Sequence, residues 1–183
     1  MSHYAVIVIG PDPAQRAQQH FFSRYPPEYA PVVTAAIGGR YTGNLPVRPG
    51  ATTARVYGDA PAGAEAALGA HLLDTAGVTM QRPTYYGPHF DQAEAAGVDI
   101  AAINWLPNAV IEADGTVHDE PAKAGTTENR GQPVAVIEAN YAGHGQQWAE
   151  QDARAAAEWL EQVHALLRSA GPRDLVTVVD VHE

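Results

Sequence analysis

Apolar and polar positions alternate between two periods along this chain, and the change of period marks its elements. Tyr4 to Ile9 is a short β-branched run closed by Gly10-Pro11, which predicts a buried strand followed by a turn. Asp12-Pro13 supplies an N-cap and first-turn pair for a helix reaching about Tyr25, where Pro26-Pro27 forbids its continuation. From Val32 to Val47 the chain is apolar and β-branched but broken by Gly38-Gly39 and Gly43, the pattern of strands bent around a tight backbone feature. Thr52 to Tyr57 adds a further strand.

The middle of the chain is less regular. Residues 61–77 carry Ala64, Leu68, Leu72 and Leu73 at helical spacing, and the Pro- and Tyr-containing run Gln81 to His89 reads as a loop. A second short helix is expected from Asp91 to Ala96, with Asp91 as its N-cap. Val110 to Val117 predicts a hairpin around Asp114-Gly115, the favoured type I′ pair. Asp119 to Gln132 turns polar and is expected to be a mobile loop.

The last third is the most legible. It predicts a strand at Pro133 to Ala139, a helix at Gln146 to Ser169, a stop at Gly171-Pro172 and a strand at Leu175 to His182. Trp148, Ala155, Ala156, Trp159, Val163, Leu166 and Leu167 recur at three and four residues and form one apolar stripe. The expected architecture is a single α+β domain over residues 1–183, a mixed sheet with helices packed mainly on one face.

Composition narrows the chemistry. Eleven Lys and Arg against 21 Asp and Glu give a net charge of −10, which argues against a nucleic-acid or anionic-membrane partner held by a broad basic surface. The absence of cysteine excludes disulfides, thiolate metal sites and a thiol nucleophile. The strongest apolar run, Ala5 to Ile9, is far short of the roughly 20 residues of a membrane span. A soluble, cytoplasmic protein is the resulting expectation, with a homodimer unsurprising because terminal strands often lie at sheet edges.

Three groups of residues could carry a reaction. Strand alternation puts Asp180 and His182 on one face of the last strand, where they can act as an acid/base pair, supply metal ligands or simply hydrogen-bond each other. His3 opens the first strand and reaches the same end of the sheet if the two strands are neighbours, which alternation alone does not fix. Gly38-Gly39-Arg40-Tyr41-Thr42-Gly43 combines close-approach glycines, a guanidinium suited to a phosphate or carboxylate, and a ring for stacking; its bland alternative is a β-bulge. Asp91, Gln92 and Asp99 have the polar character of a pocket rim or of turn residues. The other imidazoles show no ligand spacing, and neither a phosphate-loop lysine motif nor a nucleophile elbow is present.

The opening Met1-Ser2-His3-Tyr4-Ala5-Val6-Ile7-Val8-Ile9-Gly10, the Gly38-to-Gly43 loop, Asp91-Gln92-Ala93 with Asp99, and the ending Thr177-Val178-Val179-Asp180-Val181-His182 together resemble a family of uncharacterised proteins common in tailed bacteriophages. The family usually has Trp where this chain has Tyr41, Cys where it has Val181, and a longer acidic insertion before the Gly-Gly-Arg loop, so the chain resembles a compact, divergent member. The resemblance implies a phage origin, the cytoplasm of an infected bacterium as the setting, and a shared polar pocket at His3, Arg40, Asp91, Gln92, Asp99, Asp180 and His182. It names no activity.

The leading expectation is a protein that binds, and if an enzyme cleaves, a small anionic nucleotide-like ligand such as a host immune signal. Gly38, Gly39, Arg40, Tyr41, Asp91, Gln92 and Asp99 would bind; His3 and His182 would serve as base and acid with Asp180 orienting an imidazole, a phosphodiesterase chemistry that needs no cofactor. The alternatives are a metal-dependent hydrolase with His3, Asp180 and His182 as ligands, and an acidic, non-enzymatic inhibitor of a host protein.

Overall fold

The structure is a computed structural model that describes residues 3–24, 33–41, 43–51, 53–55, 57, 89–121 and 146–182. The expected helix over 61–77, the strand Pro133 to Ala139 and most of the polar stretch after Glu120 lie outside these residues.

The β-branched run at the start forms β1 (His3–Ile9), whose residues from Ala5 onward are buried. Antiparallel to it lies β8 (Leu175–His182), in a register that pairs His3 with His182, Ala5 with Asp180 and Ile9 with Val176. On its other side β1 pairs in parallel with β6 (Ala109–Ile111), which turns back into β7 (Val117–Asp119). The far edge of β8 is shared: β2 (Thr34–Ile37) covers its C-terminal half and β5 (Gln92–Glu94) its N-terminal half. Among the described residues the result is a six-stranded mixed sheet in the order β2-β8-β1-β6-β7 with β5 beside β8, and a separate small pair, β3 (Leu45–Pro46) with β4 (His89–Phe90).

Alternation along β1 and β8 sorts two cores. Ala5, Ile7, Ile9, Val176 and Val178 face the long helix α2 (Gln146–Ser169), which contributes Ala156, Trp159, Val163 and Leu167, together with Leu45 of β3 and the irregular segments that bring Ile103 and Leu106. Val6, Val8, Val179 and Val181 face α1 (Pro13–Phe22), which contributes Ala17 and Phe21. The α+β class and the mixed sheet are as the sequence predicts. The helices, however, divide between the faces rather than gathering mainly on one, because both faces of β1 and β8 are apolar and each needs a cover.

Three local expectations are corrected. Residues after Asp91 form β5 and then a 3-10 turn at Ala95–Gly97, so Asp91 caps no helix; the edge of β8 offers this segment a ladder that outweighs its local propensity. Asp12 adopts a left-handed φ of 50° and makes no side-chain cap; its carbonyl accepts the Arg16 amide instead, and the helix ends at Phe22. The β6–β7 hairpin exists, but Glu112 and Thr116 continue the pairing, leaving Ala113, Asp114 and Gly115 as a three-residue loop. Gly115 alone of these takes a positive φ, so the turn is a type I with a glycine bulge rather than a type I′.

Trp159 is 1% exposed, and its indole N–H donates to the Pro107 carbonyl at 2.8 Å, fixing α2 against the chain entering β6. Trp159→Ala is expected to lower the unfolding free energy by about 3–5 kcal/mol in urea titrations, with Trp159→Phe costing visibly less.

Candidate functional site

The β1/β8 register decides which side chains meet. His3 and His182 are opposite one another, Ala5 stands opposite Asp180, and the three polar residues share the α2 face, where their strand neighbours are apolar. His3 Nδ1 lies 3.0 and 3.1 Å from the two oxygens of Asp180, and His182 Nε2 lies 2.8 Å from Oδ2. A carboxylate only accepts, so each contacting nitrogen donates its proton, which leaves His3 Nε2 and His182 Nδ1 as the ring nitrogens not engaged with Asp180. The Asp180 side chain is fully buried, whereas those of His3 and His182 keep 20% and 29% of their exposure. The centre therefore has a buried anionic floor and two imidazoles that reach solvent.

The rings pack against each other, with centroids 4.4 Å apart and planes tilted by 54°. They stand side by side on one carboxylate and do not face each other across a gap. One ligand atom from each of the three residues can be chosen so that all lie within 4.8 Å of one another.

The glycine loop is built around this centre. Gly38 follows β2 and donates its amide to Val178 at 2.8 Å, and Gly39–Tyr41 make one 3-10 turn. Gly39 has a φ of +52°, and a Cβ there would sit 2.6 Å from both Cβ and Oδ2 of Asp180. The close approach that the glycines permit is thus to the protein's own carboxylate. Arg40 is the middle residue of the same turn, and the Tyr41 hydroxyl donates to the His3 carbonyl at 3.1 Å.

Asp91 and Gln92 serve as struts for this arrangement. The Asp91 carboxylate accepts the amides of Gly43 and Tyr57, each at 2.7 Å, and its carbonyl accepts the amide of Val178. Both ends of the glycine loop are in this way tied to one place on β8. Burial pushes the Asp91 carboxyl above its usual range, opposed by the two amides. Gln92 donates to Thr177 Oγ1 at 2.8 Å and accepts from the Tyr57 hydroxyl at 2.8 Å. Tyr57 and Thr177 were not evident as partners from the sequence; a threonine amid the valines of β8 was the one available signal. Asp99 belongs to another neighbourhood, with its amide on the Pro46 carbonyl and its own carbonyl opening the 3-10 turn Ile100–Ala102.

No known protein family, curated protein or solved structure matches this chain. No helix among the described residues is long and apolar enough to cross a membrane.

Gly39→Ala combines a left-handed backbone, which costs an L-residue roughly 1–2 kcal/mol, with the contact on Asp180. A loss of about 2 kcal/mol or more is expected in denaturant titrations, together with displaced imidazole resonances of His3 and His182 in NMR spectra. For Asp91 the folded protein holds its proton to higher pH than the unfolded chain does. Its contribution to stability accordingly falls as pH rises from the ordinary carboxylate range to the raised folded value. Denaturation curves across that range should show this downward component in the native protein and its loss in Asp91→Asn.

Proposed function

We propose that this chain binds a small, anionic, phosphate-bearing ligand of nucleotide type at the His3–Asp180–His182 centre and hydrolyses it. The observation that carries the reading is one fully buried carboxylate holding two partly exposed imidazoles. Asp180 fixes the tautomer of each ring and leaves a basic nitrogen toward solvent, the arrangement that activates a water or hydroxyl. The neighbouring turn supports an anionic substrate, since Arg40 is carried one residue from the glycine that packs on Asp180.

Side-by-side rings restrict the mechanism. In-line displacement at phosphorus puts the attacking and leaving oxygens on opposite sides, and two rings 4.4 Å apart on one carboxylate serve the same side. The centre is accordingly assigned to activation of the nucleophile: a water adds to phosphorus, its proton passes to an outward imidazole nitrogen, and the ester oxygen departs with a proton from solvent. The phage setting implied by the sequence resemblance makes cyclic oligonucleotides and NAD-derived host signals the first compounds to test.

Purified protein incubated with such a panel, then removed by filtration, should yield a filtrate in which mass spectrometry finds a compound at its hydrolysed mass. His3→Ala and His182→Ala should each slow that conversion by about 100-fold or more. A ligand that vanishes from the filtrate and returns intact on heating would replace hydrolysis by sequestration. A panel left free and unchanged would overturn the reading for these compounds.

A further inference from the structure

We infer that His3, Asp180 and His182 form a binding site for a divalent first-row transition-metal ion. The inference rests on the same centre as the proposed hydrolysis, but not on its substrate. Two imidazoles and one carboxylate are an intermediate donor set, suited to zinc, iron, cobalt or manganese rather than to calcium, which takes six or more oxygens. A four-coordinate ion with bonds of about 2.0–2.1 Å needs ligand atoms roughly 3.3 Å apart. Here one atom from each residue already lies within 4.8 Å of the others, and the two nitrogen–carboxylate distances are 3.0 and 2.8 Å. Small rotations of two partly exposed side chains close the remainder.

Three further features fit an ion. The ligands come from two directly paired strands, so the backbone fixes their separation before any ion arrives. Asp180 is fully buried, which strengthens its hold on a cation, and the Gly39 turn packed against it fixes the position of its carboxylate. The two histidines open to solvent, leaving a side of the ion for water or substrate. An ion with such an open position lowers the pKa of a bound water toward about 7 and would itself supply the nucleophile; the rings would then act as ligands, with their protons on the outward nitrogens, in place of acting as bases.

The test is a titration of chelator-treated, full-length protein with cobalt chloride, followed by visible absorption and competition with zinc chloride. One equivalent of cobalt per chain should develop ligand-field bands that zinc abolishes, and the His3 and His182 ring resonances should broaden selectively. His182→Ala, whose ring is partly exposed near the end of β8, should keep the native circular dichroism and lose affinity by at least about 100-fold. Asp180→Asn is a second probe, read only after its fold is checked in the same way. Binding that is equal in native and His182→Ala proteins, or absent in the native protein, overturns the inference. Tight cobalt binding without turnover of any nucleotide would sink the hydrolysis and leave the metal site standing. Turnover by a protein that binds no cobalt would overturn the metal site and leave the hydrolysis standing.

Discussion

The antiparallel register between β1 and β8 is the constraint on which the other features depend. Seven paired positions run from His3 against His182 to Ile9 against Val176, and side chains on a strand alternate with a period of two. A slip of β8 by one residue would turn Val179 and Val181 toward α2 and carry Asp180 into the apolar core under α1. The valines and isoleucines of both strands, buried on both faces, therefore specify the site as firmly as they specify the core. The parallel pairing of β1 with β6 holds the other side of the register, and the Asn108 side chain accepts the Ala5 amide at 2.9 Å to extend it.

A buried carboxylate is costly unless it is hydrogen-bonded or paired, and on a strand of this composition a valine at 180 would be the stable choice. Asp180 is compensated by His3 and His182 and enclosed by a turn that only glycine can make at position 39. Asp91 is buried for a different reason. Its carboxylate and carbonyl gather Gly43, Tyr57 and Val178, at the point on β8 where β2 leaves the sheet and β5 joins it. One acid thus faces two rings that reach solvent, and the other faces main-chain amides. That contrast is why the proposed chemistry is assigned to Asp180 and not to Asp91.

Periodicity made the end strands, the amphipathic α2 and the shared face of Asp180 and His182 legible in the sequence, because each follows from spacing within one element. The meeting of His3 with that pair was not legible, since strand order and register are properties of the sheet as a whole. Asp91-Gln92 read as a helix start because a cap followed by alanines is locally persuasive, yet three residues of ladder with β8 prevail. Asp114-Gly115 read as a two-residue turn because glycine occupies the left-handed position in either loop length; the amide of Glu112 on Thr116 decides between them. The glycine loop reads as a place of close approach, but its sequence does not say that the approaching group is Asp180.

Acid–base catalysis and metal binding place different demands on the same three side chains, and the burial of Asp180 meets both. As an orienter it must hold N–H groups on its two oxygens; as a ligand it must exchange those protons for an ion. In either case water is excluded from the carboxylate, so its attraction for the adjacent cation, imidazolium or metal, is stronger than at an exposed acid. The apolar face that surrounds it on β1 and β8 maintains this exclusion. Ala5 and Val178 offer no competing donor and no path for bulk water beneath the site. Of the three side chains, those of His3 and His182 keep contact with solvent and that of Asp180 keeps none, so any partner of the proposed centre meets the two rings first.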